Sequence, residues 1–314
     1  LIIASVFLIQ ACNSTGGKVR EYKGSLTVSA TEQTMLNHLK VLSSDEFLGR
    51  KVGRPGNLLA QDYIVSKLGE LGIAPLNKHF RHQFSYEKIT HQVHGANIIG
   101  LVKGADNPDK FIVLSAHFDH IGKKGRKIFN GADDNASGTA ALLAFAEQIS
   151  HSPLKHSVIL LFTDAEEINL NGAKSFVKDF PDIISRVKLN INMDMLAGDN
   201  KTKQLHYLAR GVNSLIGKEA SAHLTNIQSE AEIKIRKGFR TSERAAGLSR
   251  RVNWEMASDH GAFHRIGIPF IYYGVGEHKN YHQETDTYYN VNHGFFLAAT
   301  KSIYQQLVFI DQHI

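Results

Sequence analysis

At 314 residues the chain is long enough to bury a large core, and with 42% hydrophobic and 21% charged residues its composition excludes a disordered protein. The formal net charge of +6 is spread along the chain rather than gathered in one patch, which points away from nucleic-acid binding. A single cysteine, Cys12, excludes an internal disulfide.

In chain order, Leu1 to Ile9 (LIIASVFLI) is an apolar run too short to span a bilayer and suited to the core of a signal peptide. Gln10-Ala11-Cys12 follows, and a small residue directly before a cysteine resembles the bacterial lipoprotein signal. The resemblance implies a lipid on Cys12, membrane attachment and a place in the cell envelope, periplasmic or surface. The other reading is a plain secretory signal or a buried N-terminal strand. Residues 1–11 are read as the signal, its start missing from the chain as given. Residues 12–30 are read as a tether, polar from Asn13 to Lys23, and 31–314 as one domain. Met35, Leu36, Leu39 and Leu42 predict a helix from Thr31 to Leu42 with Thr31 as its N-cap. Ala60, Ile64, Leu68 and Leu71 predict a second from Asn57 to Leu71, closed by Gly72. Strand-like segments follow around His82 to Tyr86 and Ala96 to Val102.

The pattern then changes to continuous apolar runs separated by amphipathic stretches. Phe111–Ala116 (FIVLSA), Val158–Phe162 (VILLF), Leu189–Met193 (LNINM) and Ile268–Tyr273 (IPFIYY) suit strands buried on both faces. Helices are expected from Ser137 to Ile149, Gly172 to Phe180 and Phe295 to Ile310. This alternation predicts an α/β fold, a three-layer α/β/α sandwich with a mixed, largely parallel central sheet. Lys201 to Glu255 is less regular. Its basic tract Lys234 to Arg251 reads as a solvated excursion, the alternatives being a wall of a substrate cleft or a membrane-facing patch.

Ligand-type residues follow each buried run. FIVLSA leads into His117-Phe118-Asp119, VILLF into Thr163-Asp164-Ala165-Glu166-Glu167, LNINM into Asp194, and IPFIYY, after a glycine-containing loop, into Tyr281-His282. In parallel sheets, sites form at the carboxyl ends of strands. Gly131 to Gly138 (GADDNASG) adds a turn carrying Asp133 and Asp134. Converging carboxylates repel one another, and a divalent cation removes that conflict. Two histidines and three carboxylates without a thiolate suit Zn²⁺, with Mn²⁺ or Co²⁺ as substitutes. Five ligands exceed the need of one catalytic zinc and match two ions sharing a carboxylate.

HFDH, GADDNASG, TDAEE, NMDM and YHQETDT, in this order, resemble the motifs of the M28 family of zinc aminopeptidases and carboxypeptidases. LSSDEFLGRKVGRPGN (Leu42 to Asn57) and ANIIG (Ala96 to Gly100) resemble its bacterial members. The resemblance implies two zinc ions, one on His117 and Asp194, the other on Glu167 and His282, bridged by Asp134. It implies Glu166 as catalytic base and Asp119 as the acid that orients His117. The activity implied is removal of N-terminal residues from peptides. The alternatives are a single-zinc enzyme like glutaminyl cyclase and a non-catalytic peptide-binding lipoprotein. His120, His260, His264, His278 and His293 also lie near the motifs and are read as outside the primary ligand set.

Overall fold

The computed structural model describes residues 29–88, 91–240, 242–245 and 248–314. The expected signal, the lipidated Cys12 and nearly all of the tether lie outside the described residues.

Helix α1 spans Ala30–Leu42. Its N-cap is Ser29 rather than Thr31, because only Ser29 has a glutamate three residues on. The Ser29 hydroxyl accepts from the Glu32 amide, and Glu32 accepts from the Ser29 amide at 2.7 Å, closing a capping box. The first described helix thus starts one residue before the expected Thr31. Helix α2, Pro55–Glu70, starts with proline at its first turn, and Gly72 just past its end adopts φ +67°.

The strands are β1 (Ala74–Pro75), β2 (Arg81–Lys88), β3 (His91–Val102), β4 (Asn107–His117), β5 (Gly122–Lys124), β6 (Lys127–Phe129), β7 (His156–Thr163), β8 (Val187–Met193), β9 (Gln204–Arg210), β10 (Lys234–Lys237), β11 (Ser242–Ala245), β12 (Leu248–Arg251) and β13 (Phe270–Gly274). The remaining helices are α3 (Gly138–His151), α4 (Asn171–Asp179), α5 (Pro181–Ile184), α6 (Val212–Ile216), α7 (Lys218–Ser229), α8 (His260–Arg265) and α9 (His293–Asp311). The main sheet runs β1-β3-β7-β4-β8-β13-β9-β10, with β2 also on β3. Its centre, β7-β4-β8-β13, is parallel; β3 and β9 flank it antiparallel.

Both faces of the central strands are covered, as their unbroken apolar runs require. Ile112, Leu114, Val158, Leu160, Phe162, Leu189 and Ile191 face the layer of α1, α2, α3 and α9. Val113, Ile159 and Leu161 face Phe176 of α4 and Phe263 of α8. Strand β8 alternates differently, presenting Asn190 and Asn192 to the second face. There the Asn190 side-chain amide donates to the Ser115 hydroxyl, Ser115 donates to Asn192 Oδ1, and the Asn192 side-chain amide donates to the Ser258 hydroxyl. These bonds offset the desolvation cost of a polar strip inside a core.

The chain leaves β4 through α3 on one face to reach β7, then crosses through α4 on the other face to β8. Strands β7 and β8 therefore lie on opposite sides of β4. The connections diverge at the carboxyl end of β4, the point where an open α/β sheet leaves a crevice.

The basic tract departs from a plain solvated excursion. Strand β10 extends the sheet in parallel register with β9, and Phe239 stacks on Trp254 and Tyr272 at 4.5 and 4.9 Å between ring centroids.

Candidate metal centre

Three of the four central strands end in side chains that meet. His117 closes β4, Glu166 and Glu167 follow β7, and Asp194 follows β8. Two connections supply the rest, Asp134 from the β6–α3 turn and His282 from the loop after β13. Unusual backbone conformations gather here. Ala165, Met195 and His282 have φ of +56°, +64° and +56° although none is glycine. Such φ values cost energy for a side-chain-bearing residue and cluster where function dictates the conformation.

His117 Nε2 lies 3.2 Å from Asp194 Oδ1 and 3.4 Å from Asp134 Oδ1. His282 Nε2 lies 3.1 Å from Asp134 Oδ2 and 3.2 Å from Glu167 Oε2. Asp134 thus turns one oxygen toward each histidine. The turn that carries it is held from behind. The Asp133 and Asp134 amides donate to the two oxygens of Asp286, at 2.9 and 3.0 Å. Across the floor runs Arg50, wholly buried, which donates to the carbonyls of Leu42, Phe118, Asn130 and Gly131 at 2.5–2.8 Å. These bonds tie the segment after β4 to the segment that leads to Asp134. Burial lowers the Arg50 pKa to about 10, so it stays charged at neutral pH and faces Asp286, Asp134, Asp119 and Glu167.

Asp119 approaches His117 through two groups. His117 Nδ1 meets its main-chain carbonyl at 3.2 Å, while its carboxylate stands 3.7 Å away and accepts the Glu166 amide at 3.0 Å. The chain turns after β4, bringing the carbonyl of residue 119 nearest the ring with its carboxylate beside it. The same carboxylate oxygen also anchors the turn that carries Glu166.

The electrostatics separate the two glutamates. Burial, reinforced by Asp194, Asp259 and Glu167, pushes Glu166 well above the ordinary carboxylate range, and His117 offsets only part of that. For Glu167 burial acts the same way but is outweighed by His120 and His282, which hold it below that range. Burial opposes a proton on His282, yet Asp134 and Glu167 raise it to about 10. Burial of Asp259, which accepts from the Thr163 hydroxyl, pushes it up to about 7.

Two groups of ligand-type atoms converge within 4.8 Å: His117 with Glu166 and Asp194, and His120 with Asp134 and Glu167. Asp119 Oδ2, Asp134 Oδ2, Glu167 Oε1 and both ring nitrogens of His120 are buried without an aligned hydrogen-bond partner among the described residues. Orphaned imidazole and carboxylate atoms facing one another fit a divalent cation of the zinc type.

Four of the five histidines set aside lie elsewhere. His278 pairs with Asp133 at 2.8 Å, His260 meets the Trp254 carbonyl and stacks on Tyr272, His293 meets the Tyr288 carbonyl, and His264 faces Glu255. His120 does not, and it enters the second group. Arg50 and Asp286 had no assigned part although both sit inside motif segments. The signal was an arginine in an otherwise exposed-looking turn and a second acid in YHQETDT.

The groups open into a cleft of about 390 Å³ whose lining includes Asp134, Glu166, Asp194, Glu277 and His282 together with Val252, Trp254, Met256, Tyr272 and Tyr281. A larger cavity, about 820 Å³ between α2 and the β2–β3 hairpin, contains none of these site residues.

The profile of "Peptidase family M28" matches residues 97–306. A "Glutamate carboxypeptidase 2 homolog" of Caenorhabditis briggsae is 30% identical over 223 residues, covering 64% of this chain and 27% of that protein. "Leucine aminopeptidase 2" of Trichophyton rubrum is 26% identical over 229 residues, covering 66% of this chain and 43% of that protein. The chain thus spans under half the length of either relative. Among solved structures, Fimbriiglobus ruber glutaminyl cyclase superposes with a TM-score of 0.68 at 18% identity, covering 93% of this chain and 99% of that one, a likeness of fold. The profile covers more than half of the sequence and contains every ligand-type residue described above, and the chain belongs to peptidase family M28.

Proposed function

We propose that this protein is a two-zinc exopeptidase that releases N-terminal residues from peptides. One ion is assigned to His117 and Asp194, the other to Glu167 and His282, with Asp134 between them. The observation that carries the reading is Asp134 itself, whose oxygens face His117 and His282 separately at 3.4 and 3.1 Å. When bound, the ions supply a water of lowered pKa and polarise the scissile carbonyl. Glu166, with its raised proton affinity, takes the proton of the attacking water and returns it to the leaving amine. Asp119 holds the Glu166 amide and so fixes where that carboxylate stands.

Charge supports the amino-terminal choice. The cleft lining carries Asp134, Glu166, Asp194 and Glu277 and, among the described residues, no lysine or arginine. A substrate ammonium can pair with Glu277, whereas a C-terminal carboxylate finds no lysine or arginine to pair with and only His282 and the ions themselves as cations. Val252, Trp254, Met256 and Tyr272 offer apolar surface to the side chain beside the cut bond. The cell-envelope location expected from Leu1 to Cys12 belongs to the same proposal, and radiolabelled palmitate on the parent but not on Cys12→Ser tests it.

The activity test offers leucine p-nitroanilide and its N-acetylated form to the zinc-loaded protein, with metal content measured on the same sample. Turnover of the free amine alone, abolished by chelation and accompanied by about two zinc per chain, is expected. Equal turnover of both forms overturns the N-terminal reading. About one zinc per chain and no turnover transfers the protein to the cyclase-like alternative.

A further inference from the structure

The five ligands of that reading leave one buried imidazole unused. His120 closes the HFDH segment, and its side chain is 0% exposed. Its Nδ1 lies 2.8 Å from Glu167 Oε1 and 3.7 Å from Asp134 Oδ2. None of these three atoms has an aligned hydrogen-bond partner among the described residues, and neither has the other ring nitrogen. Leaving several buried polar atoms unpaired costs about 1–3 kcal/mol each, so a fold does not retain such a cluster without compensation.

The distances suit one shared partner. Ligand atoms at about 2.0–2.1 Å around a tetrahedral ion stand about 3.3 Å apart, and 2.8 and 3.7 Å bracket that value. The ring has no room to turn away. Gly131 adopts φ +57°, and a Cβ built there would fall 2.6 Å from ring carbons Cγ and Cδ2 of His120. Arg50 fixes the chain on both sides by its bonds to the Phe118 and Gly131 carbonyls. His282 approaches the same two carboxylates through other contacts, reaching Glu167 at Oε2 while His120 reaches Oε1.

We propose that His120, through Nδ1, is a further ligand of the ion held by Asp134 and Glu167, on the buried side, with His282 closing the site toward the cleft. The inference rests on the two-ion reading above. It gives the second site two imidazoles of unequal access, His120 at 0% and His282 at 36% side-chain exposure. The competing role is that of a positioning residue, with Nδ1 only donating a hydrogen bond to Glu167.

His120→Asn separates the two roles, because an asparagine amide can keep an N–H donor near the Nδ1 position while the imidazole is lost. Zinc affinity is read by competition with a chromophoric chelator, and zinc per chain by mass spectrometry, on the full chain. The expected result is an unchanged first ion and a second ion bound about 100-fold more weakly or not at all. Retention of both ions within about threefold of parent affinity overturns the ligand role. If the parent itself takes up one ion at saturation, the two-ion reading fails. The inference is then judged on that ion, and falls if His120→Asn holds it as tightly. X-ray absorption at the zinc edge of the fully loaded parent needs no variant. Three imidazoles per two zinc ions support the proposal, and two overturn it.

Discussion

The His117 group is built on strand ends and the His282 group on loops. His117 and Asp194 continue β4 and β8, adjacent parallel strands whose ladder sets the separation of the two side chains. His117 is 1% exposed, and its ring is backed by the Asp119 carbonyl. Asp134, Glu167 and His282 come from turns, and His282 adopts φ +56° with its side chain 36% exposed. Those turns are fixed by side chains: Asp286 beneath Asp134, Asp119 beneath Glu166, Arg50 across the floor. Strand ends need little help to hold geometry. Loops need a buried polar scaffold, and that scaffold is where Arg50 and Asp286 enter.

The comparison can be broken or sharpened by substitution. The largest effect belongs to the carboxylate beside His117 and Asp194. Glu166→Gln is expected to retain its zinc and lose about 10³-fold or more in kcat, read by steady-state turnover beside metal analysis. Activity within tenfold of the parent removes Glu166 from the proton path.

A second test sets the two histidines against each other in the metal-free protein. His117→Ala leaves a cavity and exposes Asp194 and Asp134 to each other without a cation between them, so urea unfolding should show a loss of about 2–4 kcal/mol. His282→Ala removes a partly exposed side chain and should cost less than about 1 kcal/mol. Equal losses would deny the distinction between strand-held and loop-held ligands.

Arg50→Lys tests the scaffold. A lysine keeps the charge but cannot reproduce a planar fork reaching four carbonyls, so about 2–3 kcal/mol of stability should go. Weaker zinc binding should accompany it, because the Asp134 turn loosens. A variant that loses stability but binds zinc normally would confine Arg50 to the core.

The smallest effect lies away from both groups. His38 lies on the buried face of α1, 2.7 Å from the Tyr63 hydroxyl, and burial lowers its pKa to about 4. A histidine depressed in the fold takes up its proton more readily when unfolded. Its contribution is therefore complete above pH 6.5 and lost as pH falls toward 4. The parent should lose about 2 kcal/mol more than His38→Gln between those limits, measured by urea unfolding at each pH. Parallel pH profiles would remove His38 as the cause.

The central strands were legible because a strand buried on both faces writes itself as an unbroken apolar run. The residues after them were legible because a parallel sheet puts strand ends together. His120 was not, since a histidine near a motif looks the same whether it faces a loop or a carboxylate. Nor was the arrangement at Asp119, whose carbonyl lies nearest the His117 ring while its carboxylate also holds the Glu166 amide. The basic tract hid β10, whose pairing depends on β9 some thirty residues earlier.

Local pattern determined the order of the four central strands and the helices beside them, the α/β layering and the ligand-type residues at the strand ends, because periodicity and residue chemistry are properties of short segments. Tertiary structure alone decided which oxygen of Asp134 faces which histidine, that Arg50 lies buried among carbonyls, and that His120 rather than His278 joins the carboxylates. Those outcomes depend on distances between segments far apart in the chain. No short segment encodes such a distance; it exists only once the sheet and its loops have packed.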